Sequence, residues 1–89
     1  MEDVKELRRE ILVQANALYE AKEYERAAEV ARALLDVLPE DAEMRYIRAA
    51  ALTGCGAYEE ARAEIARIRA VRSDHAGAAR QEIYIDRAE

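Results

Sequence analysis

The chain of 89 residues has no Phe and no Trp, one Pro, one Cys and three Gly. It holds a single Ser (Ser73), a single Thr (Thr53) and a single His (His75). Each scarcity excludes something. One cysteine cannot close an internal disulfide, which fits a reducing compartment and makes the cytoplasm the expected location for a natural protein. No apolar stretch approaches the roughly 20 residues that a membrane span needs. No signal peptide opens the chain. Lys and Arg number 14 against 19 acidic residues, a net charge of −5. That is the opposite of the basic footprint expected of a nucleic-acid binder.

What is present points to helix. Hydrophobic residues make up 52%, but 20 are alanines, so only 26 larger apolar side chains remain. One core is within reach, in a domain small enough to bury only about 60% of its unfolded surface. Ala, Glu, Arg and Leu dominate, and all are strong helix formers. Arg outnumbers Lys by 12 to 2. A high-GC genome would account for that bias. A designed helical protein would account for the whole profile, including loops nearly free of Ser and Thr, which are normally common. Charge is also uneven: residues 1–41 carry 6 basic and 11 acidic groups, residues 42–89 eight of each.

An offset of 34 residues superimposes the chain on itself without a gap. Ala15 meets Ala49, Ala17 meets Ala51 and Leu18 meets Leu52. Tyr24-Glu25 meets Tyr58-Glu59, Ala27 meets Ala61, Leu34 meets Ile68 and Val37 meets Val71. The unit reads as helix, short turn, helix. Expected helices are 3–20, 24–38, 42–54, 57–72 and 75–88. Ala21-Lys22-Glu23 links the first pair and Gly54-Cys55-Gly56 the second, with glycines free to take positive φ where a helix ends. Pro39 stops the second helix. Asp41 stands where an N-cap oxygen is wanted, and Ser73 or Asp74 can cap the fifth helix. One face of the first, second and fourth helices is apolar at 3-4 spacing: Val4, Leu7, Ile11, Ala15 and Leu18; Ala27, Ala31, Leu34 and Leu38; Ala61, Ile65, Ile68 and Val71. Ala15, Ala27, Ala49 and Ala61 are small where helix backbones must approach closely, and Tyr24 and Tyr58 wedge beside the turns.

This pattern resembles the tetratricopeptide repeat, a 34-residue helix-turn-helix unit. The resemblance rests on Ala15, Leu18, Tyr24, Ala27 and Pro39 in the first unit and on Ala49, Leu52, Tyr58 and Ala61 in the second. It implies an all-α fold: a right-handed α-solenoid of five antiparallel helices in one domain, residues 1–89. Its units are about 8–41 and 42–75, and a capping helix spans about 75–88. Departures exist. The large aromatic usual early in the first helix is Ile11 in one unit and Arg45 in the other, and Gln14 and Arg48 replace a usual leucine. These changes loosen the packing between units or mark an exposed surface.

Chemistry-bearing constellations are scarce. Ser73 and His75 sit at a helix start, which suits a cap and a surface histidine. Gly54-Cys55-Gly56 is too short for a phosphate-cradling loop and has no Lys. No His or Cys cluster suggests a metal, and Glu59-Glu60 suits a solvated helix face. Cys55 has no neighbour that would activate it. No catalytic activity, cofactor or small-molecule substrate is expected. An enzyme would require a pocket that brings Cys55, His75 and a carboxylate together.

Repeat arrays of this kind bind peptides or proteins on the concave side, along the first helix of each unit. The resemblance places Leu12, Val13, Asn16 and Tyr19 there from the first helix. Tyr46, Ile47, Ala50 and Thr53 come from the third, and Arg80, Gln81 and Tyr84 from the fifth. Such a face is more apolar than a solvated one, and tyrosines are favoured anchors. The same side chains also suit a core rotated slightly from the family's. One subclass grips chaperone C-terminal carboxylates with a Lys and Asn clamp. Asn16 matches one clamp asparagine, but Leu12, Ile47, Gly77 and Gln81 replace the other members, so that function is not expected. The competing expectation is a structural protein that stacks on further copies of itself. A heterologous contact of that kind closes into rings or runs on into filaments. Arg62, Arg67, Arg69 and Arg72, diluted by Glu59, Glu60 and Glu64, read as a solvated face.

Overall fold

A computed structural model describes residues 2–88. The elements are α1 (Glu2–Glu20), α2 (Tyr24–Leu35), α3 (Ala42–Gly54), α4 (Tyr58–Val71) and α5 (Ala76–Ala88). Among the described residues there is no strand. The all-α expectation holds, with boundaries within one residue of those expected except at the end of α2. There the regular helix stops at Leu35, although the Leu38 N–H still bonds the Leu34 carbonyl at 2.8 Å. Pro39 disfavours helical backbone at the residue before it, so the last turn loosens before Leu38.

The two helix-turn-helix corners are built alike. After α1 the Lys22 N–H bonds the Tyr19 carbonyl at 3.0 Å and the Glu23 N–H bonds Leu18 at 2.9 Å. After α3 the Gly56 N–H bonds Thr53 at 3.1 Å and the Ala57 N–H bonds Leu52 at 2.9 Å. Every member of this Schellman closure is displaced by 34 residues. The motif needs one left-handed residue, and here it is Lys22 at φ 63° and Gly56 at φ 84°. A side chain in that region costs about 1–2 kcal/mol. Lys22→Gly is therefore expected to stabilise the protein by about 1 kcal/mol and Gly56→Ala to destabilise it by a similar amount. Urea midpoints at unchanged slope would measure both.

Gly54 does something other than turn. It is the last residue of α3, and a Cβ there would stand 2.6–2.8 Å from the ring of Tyr24. The missing side chain lets Tyr24 lie across the end of α3. The same ring meets Tyr19 edge-on, with centroids 5.4 Å apart. Tyr24 thus joins the end of α1, the start of α2 and the end of α3.

The caps also follow the register. Asp41 Oδ1 accepts from the Met44 N–H at 3.0 Å. Thirty-four residues on, His75 Nδ1 accepts from the Ala78 N–H at 3.0 Å. The fifth helix is therefore capped by His75, not by Ser73 or Asp74. Arg8 of α1 reaches across to Asp41 and, at 2.7 Å, to Glu43. Partial burial would push the Asp41 carboxyl up, but the Arg8 guanidinium and the Met44 and Glu43 amides outweigh it and hold it below its usual value. A lowered native pKa means stability fully present above the ordinary value of about 3.9 and lost as pH falls through the native one. Asp41→Ala is expected to cost about 1–2 kcal/mol near neutral pH. Its deficit against the parent should close in acid, as urea titrations along a pH series would read.

Two apolar clusters fill the interior. Ala15, Ala31, Leu34, Leu35, Met44 and Ile47 join α1, α2 and α3. Ala27, Ala28, Ala49, Leu52, Ala61, Ile65, Ile68, Ala78 and Ile85 continue through α4 to α5. The four alanines expected at close approaches are wholly buried. Val71 departs from expectation: it ends α4 and is 63% exposed. So does α1: among its described side chains only Ala15 is buried, and Leu7 is exposed, because α2 and α3 cover one side of it.

Each helix packs on the next in the chain, and α3 also packs on α1 and on α5. Among the described residues the backbone of α2 does not come close to that of α4, nor that of α1 to that of α5. The molecule is a slab of 40 × 29 × 18 Å. Its thin dimension matches about two helix diameters.

Candidate partner-binding surface

The odd-numbered helices lie side by side and carry all eleven residues expected to meet a partner. The structure sorts these residues by depth. From α3, Ile47, Ala50 and Thr53 are buried. Ile47 belongs to the first apolar cluster, and the Thr53 hydroxyl donates to the Ala49 carbonyl of its own helix at 2.8 Å. Leu12, Tyr46 and Gln81 are half-buried. Val13, Asn16, Tyr19, Arg80 and Tyr84 are exposed. All of the exposed members lie on the flanking helices α1 and α5, and the middle helix forms the floor.

Tyr46 is the hinge of this arrangement. Its ring packs on the second cluster and lies 5.5 Å, centroid to centroid, from the His75 imidazole. A Cβ at Gly77 would come within 3.1 Å of it. Tyr46 therefore fastens the start of α5 to α3. Partial burial, then the neighbouring hydroxyls of Tyr24, Tyr46 and Tyr84, push the Tyr19 phenol above its ordinary value. Val13 and Tyr84, 65% and 61% exposed, leave large apolar area in solvent on either side of the floor. A polar cleft of about 500 Å³ opens beside Tyr46, lined by Arg8, Asp41, Glu43, Arg72 and His75.

Cys55 and His75 line different clefts. The Cys55 thiol is exposed and donates to the Leu52 carbonyl at 3.4 Å. Among the described residues no group of three or more His, Cys, Asp or Glu could hold a metal ion. No described helix is long and apolar enough to cross a membrane.

Sequence reasoning missed one polar cluster. Glu64 does not dilute a solvated arginine face; it is buried between α3 and α4. Arg45 Nη1 reaches one of its carboxylate oxygens at 3.1 Å and Arg48 Nη1 the other at 3.3 Å. Arg45 also donates to the Pro39 carbonyl at 2.6 Å. Glu60 meets Arg48 more loosely, at 3.8 Å. Arg45 and Arg48 are thus half-buried and paired, not a freely solvated surface. They form an ionic bridge between the two helices of the second unit. The register held the signal: Arg45 and Glu64 stand where the first unit has Ile11 and Val30, which are half-buried and packed on one cluster. Two arginines at inward positions require a buried anion.

Comparison with family models, with curated proteins and with solved structures finds no match.

Proposed function

We propose that the chain is a non-catalytic interaction scaffold of tetratricopeptide-repeat type. In this reading it is a right-handed α-solenoid of units 8–41 and 42–75, closed by the helix at 75–88, and it holds a peptide or protein segment on a concave face along α1, α3 and α5. The observation that carries the reading is the order of contacts. First helices touch first helices, second helices stay apart, and the ends do not meet. A stack curving toward its first helices makes such contacts, whereas a closed bundle would bring α1 to α5. Exposed Val13 and Tyr84 then supply anchors on both walls, and interface energy concentrates in such side chains. An unpaired thiol suits the cytoplasm, and the scaffold needs no cofactor.

Selection of a displayed random-peptide library on the protein tests this. Recovered peptides should bind the parent and lose at least about tenfold in affinity on Val13→Ala/Tyr84→Ala, as expected for truncated anchors. Tyr46 is avoided because it holds α5. Failure to recover a binder, or equal binding to the variant, would overturn the reading.

One observation favours self-association as a second reading. Ile83 of α5 occupies the register of Ala15 and Ala49, which are wholly buried, yet it is 54% exposed. Another copy could cover it. Against this, Glu82 and Asp86 hold the same helix to Arg69 and Arg62, at 2.9 and 2.8 Å, and place charge beside Ile83. Light scattering separates the two readings: 10.1 kDa at every concentration supports the scaffold, and a mass rising with concentration supports assembly.

A further inference from the structure

On the other side of the slab, the backbones of α2 and α4 do not come close, and a cleft of about 580 Å³ opens between the two helices over the back of α3. Its charged lining is Arg32 from α2, Arg45 and Arg48 from α3, Arg67 from α4, with Asp36 and Glu64. In a protein of net charge −5, this lining carries four cations against two anions. Both Glu64 oxygens are already engaged, one by each arginine of α3. Arg48 Nε is buried and finds no acceptor. Arg32 and Arg67 are exposed, line the cleft from α2 and α4, and have no ion-pair partner among the described residues. Glu60 touches Arg48 only at 3.8 Å, and its side chain is 66% exposed.

We infer that this outer cleft is an oxyanion site, taking a phosphate group between Arg32 and Arg67, with the Arg45–Glu64–Arg48 bridge as its floor. The chemistry follows from charge and shape. The surplus of two positive charges matches a dianion rather than a single carboxylate. Planar guanidinium forks on two separate helices can each donate two parallel N–H bonds to a tetrahedral oxyanion. Low exposure of the floor reduces the screening that weakens such contacts at an open surface. Glu64 keeps the two inner guanidinium groups from collapsing into the cleft and fixes their planes. Occupancy would also join α2 to α4, the two helices whose backbones stay apart. The site is separate from the face of α1, α3 and α5 and does not depend on the scaffold reading.

The test is a titration of the isotopically labelled chain with inorganic phosphate, at ionic strength held constant with chloride, read by the arginine Nε–H resonances. Saturable shifts at Arg32, Arg48 and Arg67 are expected. Arg32→Gln/Arg67→Gln, at two exposed positions, should raise the apparent dissociation constant by about tenfold or more, as expected for losing charge-assisted bonds. Arg9→Gln/Arg87→Gln, which removes two exposed arginines elsewhere, should leave it unchanged. O-phosphoserine titrated in parallel tells whether a free phosphate or a phosphate monoester is preferred, and tighter binding of either supports the site. Non-saturable shifts, shifts absent from the cleft arginines, or equal weakening by both double variants would overturn it. The parent's resonance map stands without the variants, so a misfolded variant would not leave the outcome open.

Discussion

Glu64→Gln is expected to lower the unfolding free energy by about 3–5 kcal/mol, because it strands two guanidinium groups in a largely dry site. The side chains of Arg45, Arg48 and Glu64 are only 11%, 15% and 8% exposed, so the water of the adjoining cleft replaces the lost partner poorly. Small domains hold stability near the low end of about 5–15 kcal/mol. Much of the variant should therefore be unfolded at room temperature, as urea denaturation followed by circular dichroism would record. The reciprocal experiment separates the pair from its charges. Arg45→Ile/Arg48→Leu/Glu64→Val installs the first unit's apolar pair and is expected to be at least as stable as the parent, since well-packed apolar replacements of buried ion pairs often are. A Glu64→Gln cost below about 1 kcal/mol, the size of an exposed ion pair, would show that the bridge is solvated.

Ile85→Ala is expected to detach α5 while leaving the other helices folded. Ala78 and Ile85 are the only buried residues of α5. The ion pairs to Arg69 and Arg62 lie in solvent and add at most about 1 kcal/mol each. Deleting a fully buried isoleucine to alanine costs about 2–5 kcal/mol, which is most of what holds the helix. Amide exchange should accelerate at 76–88 by about a hundredfold or more, with α2, α3 and α4 close to parent protection. Acceleration spread evenly over all helices would mean that α5 folds as one unit with the rest. Loss of α5 also removes Tyr84 and uncovers Tyr46, so this variant should lose peptide binding without any change to α1.

Much of this architecture is legible in the amino-acid order, because it is written twice. The pairs Ala15/Ala49 and Ala27/Ala61, the turns at 21–23 and 54–56, and the stop at Pro39 are local features with one physical reading each. What escaped depends on neighbours in space. Glu64 looks like any acidic residue of an arginine-rich helix until α3 brings Arg45 and Arg48 against it. His75 caps α5 because position 41 caps α3. The register contains that fact, but the residue preference for Ser and Asp at caps hides it. Gly54 invites a turn explanation, yet its role is to admit the ring of Tyr24. Of the eleven partner-facing candidates, spacing alone could not say which lie on the floor. Ile47, Ala50 and Thr53 are buried because α1 and α5 flank α3 on both sides, whereas the end helices keep Val13 and Tyr84 open.

The scaffold account stands or falls on which face receives a ligand. The most direct measurement is an amide-exchange footprint of the chain with and without a library-selected peptide. Slower exchange at α1, α3 and α5, centred near Val13, Tyr46 and Tyr84, is the expected result. Protection confined to α2 and α4, or no local protection at saturating peptide, would contradict it.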